Sequence, residues 1–176
     1  MRQSTTLAHH FYSSTFRSQN SMNSFNNILL ASHGTIGSQA AVSYALNLCQ
    51  AGGSLLHLIV VPEFWKGMMG DDWLNNGVSR DRFARYLESE LGRETDQHIT
   101  KVREQAESAN IQYQQEIQVG EPHDCLIAAS TKQLFDIVVI GSKRPKGVPG
   151  LNSKMALDKL SGYLSTPLLV VPYPQQ

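Results

Sequence analysis

Short runs of apolar residues alternate along the chain with longer segments in which apolar residues recur every three or four positions. The short runs predict buried β-strands, because a strand covered by helices on both faces carries apolar side chains at consecutive positions. One run alternates apolar and polar residues instead, as a strand with a wetter face does. The predicted strands are Ile28–Ser32, Leu55–Val61, Ile111–Val119, Phe135–Ile140 and Pro167–Val171.

The segments with the longer period predict four helices, each with one buried face. Ser38 can cap the first helix, and Gly52-Gly53 is expected to end it, as C-terminal glycines do. Gly92 is a weak point in the second, where glycine costs about 1 kcal/mol relative to alanine. Residues 63–79 mix tryptophans with Gly, Asp and Asn and predict a loop or a broken helical lid. The other three predicted helices are Arg80–Asn110, Pro122–Leu134 and Ser153–Leu164.

This order of elements predicts an α/β fold, a five-stranded parallel sheet with helices on both faces. Phe135–Ile140 is the most apolar strand and is predicted to be central. In such sheets ligands bind beyond the carboxyl ends of the strands. The candidate chemistry therefore lies in the loops that begin at His33, Pro62, Gly120 and Gly141.

The first residues of the chain do not follow this pattern. No acidic residue precedes Glu63, and the first 27 residues carry only Arg2 and Arg17 among a large excess of Ser, Thr, Asn and Gln. Residues 1–25 are predicted to be a disordered tail or a mis-called start, with Met22 as the alternative start, and residues 26–176 to be the folded domain. An organellar transit peptide and a functional arm are the other interpretations of the tail.

Composition narrows the class of protein. The chain is 41% apolar and 17% charged, and its 15 basic residues balance 15 acidic ones, which argues against a nucleic-acid-binding surface. Its strongly apolar runs are far shorter than the roughly 20 residues of a membrane span. Cys49 and Cys125 form no CxxC pair and are predicted to be buried thiols in a reducing cytoplasm.

The motifs of several common chemistries are absent from the sequence. The first predicted strand is followed by a single GxxG rather than GxGxxG, and neither GxxxxGK[ST] nor GxSxG occurs. The histidines and cysteines have no zinc spacing, so no metal site and no catalytic constellation is predicted. Thr35 and Ser38 leave a flavodoxin-like phosphate loop, and hence a flavin carrier, as an alternative.

Four histidines receive different predictions. His57 lies inside an apolar strand and is predicted to be a hydrogen-bonded core residue. His98 falls on the long helix and is predicted to lie on its solvated face. His33 and His123 stand at the binding rim, either as surface imidazoles or as ligand-binding groups. His123 is in the first turn of a helix, where the dipole disfavours a cation, so a neutral ring could donate to a ligand oxygen.

The loop after the fourth predicted strand is basic. Residues 142–160 carry five basic residues and one acid, Asp158. A basic loop that leads into a helix N-terminus is typical of an anion site. A solvated loop with incidental charge is the other interpretation.

Together these segments resemble the universal stress protein family over residues 26–172. Residues 27–35 are similar to the opening strand of the family and its Asp-Gly-Ser-type turn, and residues 55–58 to its second strand. Val119–Pro122 is similar to its valine-glycine-x-proline turn. Residues 135–142 and 166–171 are similar to its last two strands.

The resemblance implies an adenine nucleotide alpha hydrolase-like fold with sheet order 3-2-1-4-5. It also implies homodimers that pair through the last strand, an unidentified protein partner, and two subtypes, of which one binds ATP. The implied dimer strand is Leu168, Leu169, Val170 and Val171. The implied nucleotide or anion pocket contains Ala31, Ser32, His33, Leu58, Gly120, His123, Gly141, Arg144, Lys154 and Met155.

The chain departs from the ATP subtype within this pocket. Gly141 fits the glycine motif after the fourth strand, but Arg144 and Lys154 replace two further glycines and Met155 replaces a Ser or Thr. His33 stands where the subtype has Asp. Side chains at glycine positions block the approach of backbone N–H groups to phosphates.

The resemblance and these departures together imply a dimeric, cytoplasmic stress-response binding module. It is expected to bind ATP weakly or not at all, to require no cofactor, and to be neither an enzyme nor a nucleic-acid or membrane binder. An ATP/AMP-binding switch or slow ATPase that uses Arg144 and Lys154 is the alternative.

Overall fold

The structure, a computed structural model, describes residues 25–61, 77–149 and 155–175, with side chains from residue 92 onward in the helix that begins at 77. The predicted tail up to residue 24, most of the predicted loop 63–79, and Lys154 lie outside the described residues. Within the described ranges, no helix combines the length and the apolar character needed to cross a membrane.

The described elements form one parallel sheet with helices on both faces, which confirms the predicted fold class. The strands are β1 (Phe25–Ala31), β2 (Cys49–Val61), β3 (Gln112–Val119), β4 (Ile137–Gly141) and β5 (Leu168–Val171). The helices are α1 (Ile36–Leu48), α2 (Gly77–Ser108), α3 (Pro122–Ser130) and α4 (Leu157–Tyr163). All four strand pairs are parallel, and the order β3-β2-β1-β4-β5 is the order that the resemblance implies.

The prediction that Gly52-Gly53 ends the first helix is wrong. Helix α1 ends at Leu48, and both glycines lie inside β2. A Cβ on Gly53 would come within 2.7 Å of the Asn26 carbonyl oxygen, so glycine is needed at this point of β2. Glycine inside a strand often marks such a close backbone approach.

The predicted ends of two helices and the predicted position of one strand in the sheet also need correction. Helix α3 ends at Ser130 rather than Leu134, and Leu134 is 91% exposed, so no buried contact favours a longer helix. Helix α4 begins at Leu157 rather than Ser153. Strand β4, which was predicted to be central, pairs on both sides, but β1 is the middle strand of the sheet. Both strands are covered on two faces and are therefore apolar, so apolar character alone does not tell which of them is in the middle.

Two apolar clusters lie on opposite faces of the sheet, and β1 contributes to both because its side chains alternate. Ile28 and Leu30 pack with α1 and α2, on what we call the α1/α2 face. Leu29 and Ala31 pack with α3 and α4, on the α3/α4 face. Any residue near the end of β1 therefore belongs to one face or the other.

Cys49 and Cys125 are free and buried, as predicted. Burial is the main cause that raises the pKa of each thiol, with nearby carboxylates adding to it. Both side chains are therefore protonated near pH 7 and pack as small apolar groups.

Candidate functional site

A chain of four polar side chains crosses the sheet on the α1/α2 face. The Ser32 hydroxyl oxygen, just after β1, lies 2.8 Å from Nε2 of His57 on β2 and 2.6 Å from Nε2 of His98 on α2. Nδ1 of His57 lies 2.8 Å from the hydroxyl of Tyr113 on β3. We call His98, Ser32, His57 and Tyr113 the histidine relay.

The relay confirms one histidine prediction and overturns another. His57 is fully buried and hydrogen-bonded at both ring nitrogens, as predicted for a core histidine. His98 was predicted on a solvated face but is only 9% exposed. His98, Val102 and Ala106 are spaced four apart, so a helix places all three on the face that packs on the sheet.

Both relay imidazoles are neutral near pH 7. Burial is the main cause that lowers the pKa of His57 to about 3, and the nearby His98 lowers it further. Burial also lowers the pKa of His98, as do the positive charges of His33 and Lys101. A neutral imidazole has one N–H donor and one acceptor nitrogen, so one ring nitrogen of His57 donates and the other accepts.

Each of the two continuous directions leaves one proton without an acceptor inside the relay. If Tyr113 donates to His57, then His57 donates to Ser32 and Ser32 donates to His98. In the reverse direction the Tyr113 hydroxyl hydrogen finds no acceptor among the described side chains. The first direction leaves the proton of His98 on Nδ1, whereas the reverse direction places it on Nε2.

The depressed pKa of His57 predicts a loss of stability in acid. An unfolded histidine titrates near pH 6.5, whereas folded His57 titrates at about pH 3. Between these pH values His57 is protonated in the unfolded state and neutral in the folded state. The free energy of unfolding therefore falls as pH falls, by up to about 1.4 kcal/mol per pH unit. In urea unfolding measured from pH 6.5 to 4.5, the His57→Gln variant should lose about this contribution to the slope of the free energy of unfolding against pH.

Tyr113→Phe is the matched control, because it removes a relay hydrogen bond and keeps the titrating ring. This variant should be less stable overall but should keep the pH slope of the wild type. Equal slopes for His57→Gln and the wild type would mean that His57 is not held neutral.

An open cleft lies at the carboxyl edge of the sheet, on the α1/α2 face. Its volume is about 480 Å³, and the start of α1, the middle of α2 and the segment after β4 form its walls. The polar groups on these walls include His33, Glu94, Gln97, His98, Lys101 and Arg144. Two residues of the pocket implied by the resemblance, His33 and Arg144, therefore lie here, and sequence reasoning missed His98 and Lys101.

Three other residues of the implied pocket lie on the α3/α4 face. Ala31, Leu58 and Met155 are buried, with Leu58 completely inaccessible and Met155 8% exposed. They belong to one apolar cluster with Leu126 and Leu160 of the covering helices. The structure thus divides the implied pocket between an open polar cleft and a packed apolar face.

His123 is also buried on the α3/α4 side, so the interpretation as a surface imidazole is wrong. It is 5% exposed, and the Lys159 ammonium lies 2.8 Å from its Nε2. An ammonium group only donates, so Nε2 accepts and the ring proton is on Nδ1. Within the described part of the chain Nδ1 has no hydrogen-bond partner.

The two glycines of the implied pocket have structural roles in the turns. Gly120 has a φ of 152°, in the region that favours glycine, and makes the turn from β3 into α3. Gly141 lies against the start of α1, where a Cβ would be 2.4 Å from the Gly37 carbonyl oxygen. Gly141 thus allows α1 and β4 to approach each other closely.

The basic loop after β4 has no single role. Lys143 and Lys146 are exposed, Arg144 lines the cleft, and Lys159 contacts His123. Among the described residues, no group of three or more His, Cys, Asp or Glu side chains is arranged to hold a metal ion.

Strand β5 lies at the edge of the described sheet and pairs there with β4 alone. Three of its four side chains are half-buried and Val171 is buried. An apolar edge strand of this kind offers a row of unpaired backbone groups to another strand.

Comparisons with known proteins agree with this fold. A family model described as the universal stress protein family matches residues 24–172. The structure is similar to that of hypothetical protein MJ0577, with 17% identity over 85% of this chain and 96% of that one, and a TM-score of 0.63.

Two further solved structures are similar. UspA from Lactobacillus plantarum has 18% identity over 84% of this chain and 98% of that one, with a TM-score of 0.58. A universal stress protein family protein from Arabidopsis thaliana with AMP bound has 12% identity over 84% and 91%, with a TM-score of 0.54. A search of curated proteins found no match to this chain.

Proposed function

This chain belongs to the universal stress protein family, and we propose that it acts as a dimeric stress-response binding module that binds ATP weakly or not at all. In this proposal the protein works through contacts with other molecules rather than as an enzyme. The closed α3/α4 face supports the ATP part of the proposal, and the open edge of β5 supports the dimer.

The burial of Met155 is the observation that carries the proposal. The resemblance assigns this position to a Ser or Thr whose hydroxyl donates to phosphate. Here a thioether packs in the apolar cluster with Ala31 and Leu58, two further residues of the implied pocket. A nucleotide in that pocket would have to displace a packed core side chain, and it would gain no hydroxyl donor in return.

Restoring the pattern of the ATP subtype should therefore strengthen ATP binding. The wild type should bind with a Kd of about 1 mM or weaker, which corresponds to roughly 4 kcal/mol. The triple variant Arg144→Gly, Lys154→Gly, Met155→Ser supplies backbone donors and a hydroxyl, and should bind about tenfold more tightly or better. Isothermal titration calorimetry measures both affinities.

Lys146→Gln is the control for this experiment, because Lys146 is an exposed cation of the same loop. It should leave the weak affinity of the wild type unchanged. If the wild type instead binds ATP tightly and the triple variant loses affinity, the basic side chains are phosphate ligands and the proposal fails.

That outcome would favour the second candidate function, an ATP- or AMP-binding switch that uses Arg144 and Lys154. Two observations favour it: Arg144 lines the open cleft, and a structurally similar protein from Arabidopsis thaliana binds AMP. The same titration therefore discriminates between the two functions.

A further inference from the structure

We propose that the dimer interface extends from β5 onto α1, and that Tyr44 of each copy packs against α1 of the other copy across the two-fold axis. This contact rests on the β5 dimer of the proposed function and adds a second surface to it. The small size of β5, the composition of α1 and the side of α1 that faces β5 support it.

Strand β5 alone is too small for a stable interface. It has four residues, of which three are already half-buried, and Pro172 directly after it has no backbone N–H to donate. A stable interface of standard size buries about 800 Å² on each partner, contributed by roughly 20–30 residues a side. Pairing through β5 therefore needs further surface beside the strand.

Antiparallel pairing determines which surface lies there. Two antiparallel copies of one strand are related by a two-fold axis perpendicular to the sheet, so the α1/α2 faces of both copies lie on the same side of the joined sheet. On this face β5 presents Leu169 and Val171 to the cluster that α1 covers. Each α1 therefore faces the α1 of the other copy across the axis.

One side of α1 is directed toward β5. A Cβ on Gly37 would lie 3.1 Å from Cδ2 of Tyr173, which follows β5. The next residues in the same helical row are Ala40, Tyr44 and Leu48. Ala40 and Leu48 are half-buried against the core, whereas Tyr44 is 53% exposed. Tyr44 is thus the long side chain of this row that extends toward the axis.

The composition of α1 fits contact with a second copy of this chain. None of its 13 residues is charged, whereas the solvent face of a surface helix ordinarily carries charges. Interface cores are depleted in charged residues and enriched in tyrosine. A face without charge also meets its own copy without repulsion, as a two-fold contact requires. The exposed residues of α1 are Ile36, Gln39, Ser43, Tyr44 and Asn47.

Analytical ultracentrifugation of the full chain tests this contact through the dimer Kd. Tyr44→Arg should raise the Kd about thirtyfold or more, because it removes the ring and brings two guanidinium groups together at the axis. Tyr44→Phe keeps the ring and should stay within about threefold of the wild type. Ser43→Arg is the matched control, since Ser43 is exposed about 100° around the same helix, and it should leave the Kd unchanged.

Cross-linking gives an independent measurement of the same contact. Cys49 and Cys125 are buried, so Tyr44→Cys adds an exposed thiol. A short bismaleimide should join two Tyr44→Cys chains into a covalent dimer. Val119→Cys, which places a thiol at a 66% exposed position on the opposite edge strand β3, should not cross-link.

Equal weakening by Tyr44→Arg and Ser43→Arg, or a Tyr44→Arg variant that dimerises as tightly as the wild type, would overturn the α1 contact. If Val170→Lys still dissociates the dimer in that case, the α1 contact fails alone and the proposed function stands. A wild-type protein that sediments as a monomer at every concentration would overturn the proposed dimer, and the α1 contact with it.

Discussion

Gly141→Ala is expected to lower the free energy of unfolding by about 3 kcal/mol or more, because the new methyl group has no space. Its Cβ would lie 2.4 Å from the carbonyl oxygen of Gly37, 2.7 Å from the carbonyl carbon, and 3.0 Å from the backbone nitrogen of Ser38. All three atoms are backbone, so no side-chain rotation relieves the overlap. The first turn of α1 must move away from β4, and urea unfolding measures the cost.

Gly92→Ala provides the opposite case within the same chain. Gly92 lies in α2, is exposed, and has no atom within 4 Å of the position of a Cβ. Alanine should therefore stabilise the helix by roughly 0.5–1 kcal/mol. If Gly141→Ala unfolded within about 1 kcal/mol of the wild type, α1 would not pack as closely on β4 as described.

Val170→Lys is expected to weaken the proposed dimer by about a hundredfold or more, which corresponds to roughly 3 kcal/mol. Val170 is half-buried on the edge strand β5, which the proposal pairs with its copy. A lysine there places a charge in an apolar contact, and the two-fold symmetry of a dimer brings a second lysine to the same interface. Light scattering over a range of protein concentrations should show a monomer where the wild type is a dimer.

Ile117→Lys is the matched control, since Ile117 is 50% exposed on β3, the strand at the opposite edge of the described sheet. It introduces the same lysine on an edge strand and should leave the mass of the dimer unchanged. An unchanged mass for Val170→Lys, together with a wild-type circular dichroism spectrum, would place the interface elsewhere.

The fold could be predicted from the sequence because its strands are separate apolar runs. Ile28–Ser32 and Phe135–Ile140 carry apolar side chains on both faces, as strands of a sheet covered by helices do. The ends of the elements were harder to predict, since the same residue type serves different purposes. Gly52-Gly53 has the appearance of a helix end, yet both residues lie inside β2, and a Cβ on Gly53 would be 2.7 Å from the Asn26 carbonyl oxygen.

The candidate site was only partly predictable. His33 and Arg144 follow strands and were identified by position, whereas His98 is held in place by packing between α2 and the sheet. Its spacing of four from Val102 was the available signal, but a histidine in an otherwise charged helix favoured the solvated interpretation. Arg144 and Met155 both follow β4, yet one lines the open cleft and the other packs in the apolar cluster, and no local pattern encodes that separation.

The most direct test of the account is an NMR titration of the wild-type protein with ATP, because the amide signals report which face of the sheet the nucleotide contacts. The account predicts that the amides of Ala31, Leu58 and Met155 stay unshifted up to about 1 mM ATP, and that any shifts lie at the cleft around Gly34 and Lys101. Saturable shifts of Ala31, Leu58 and Met155 at roughly micromolar ATP would contradict it, because the packed α3/α4 face would then open for a nucleotide.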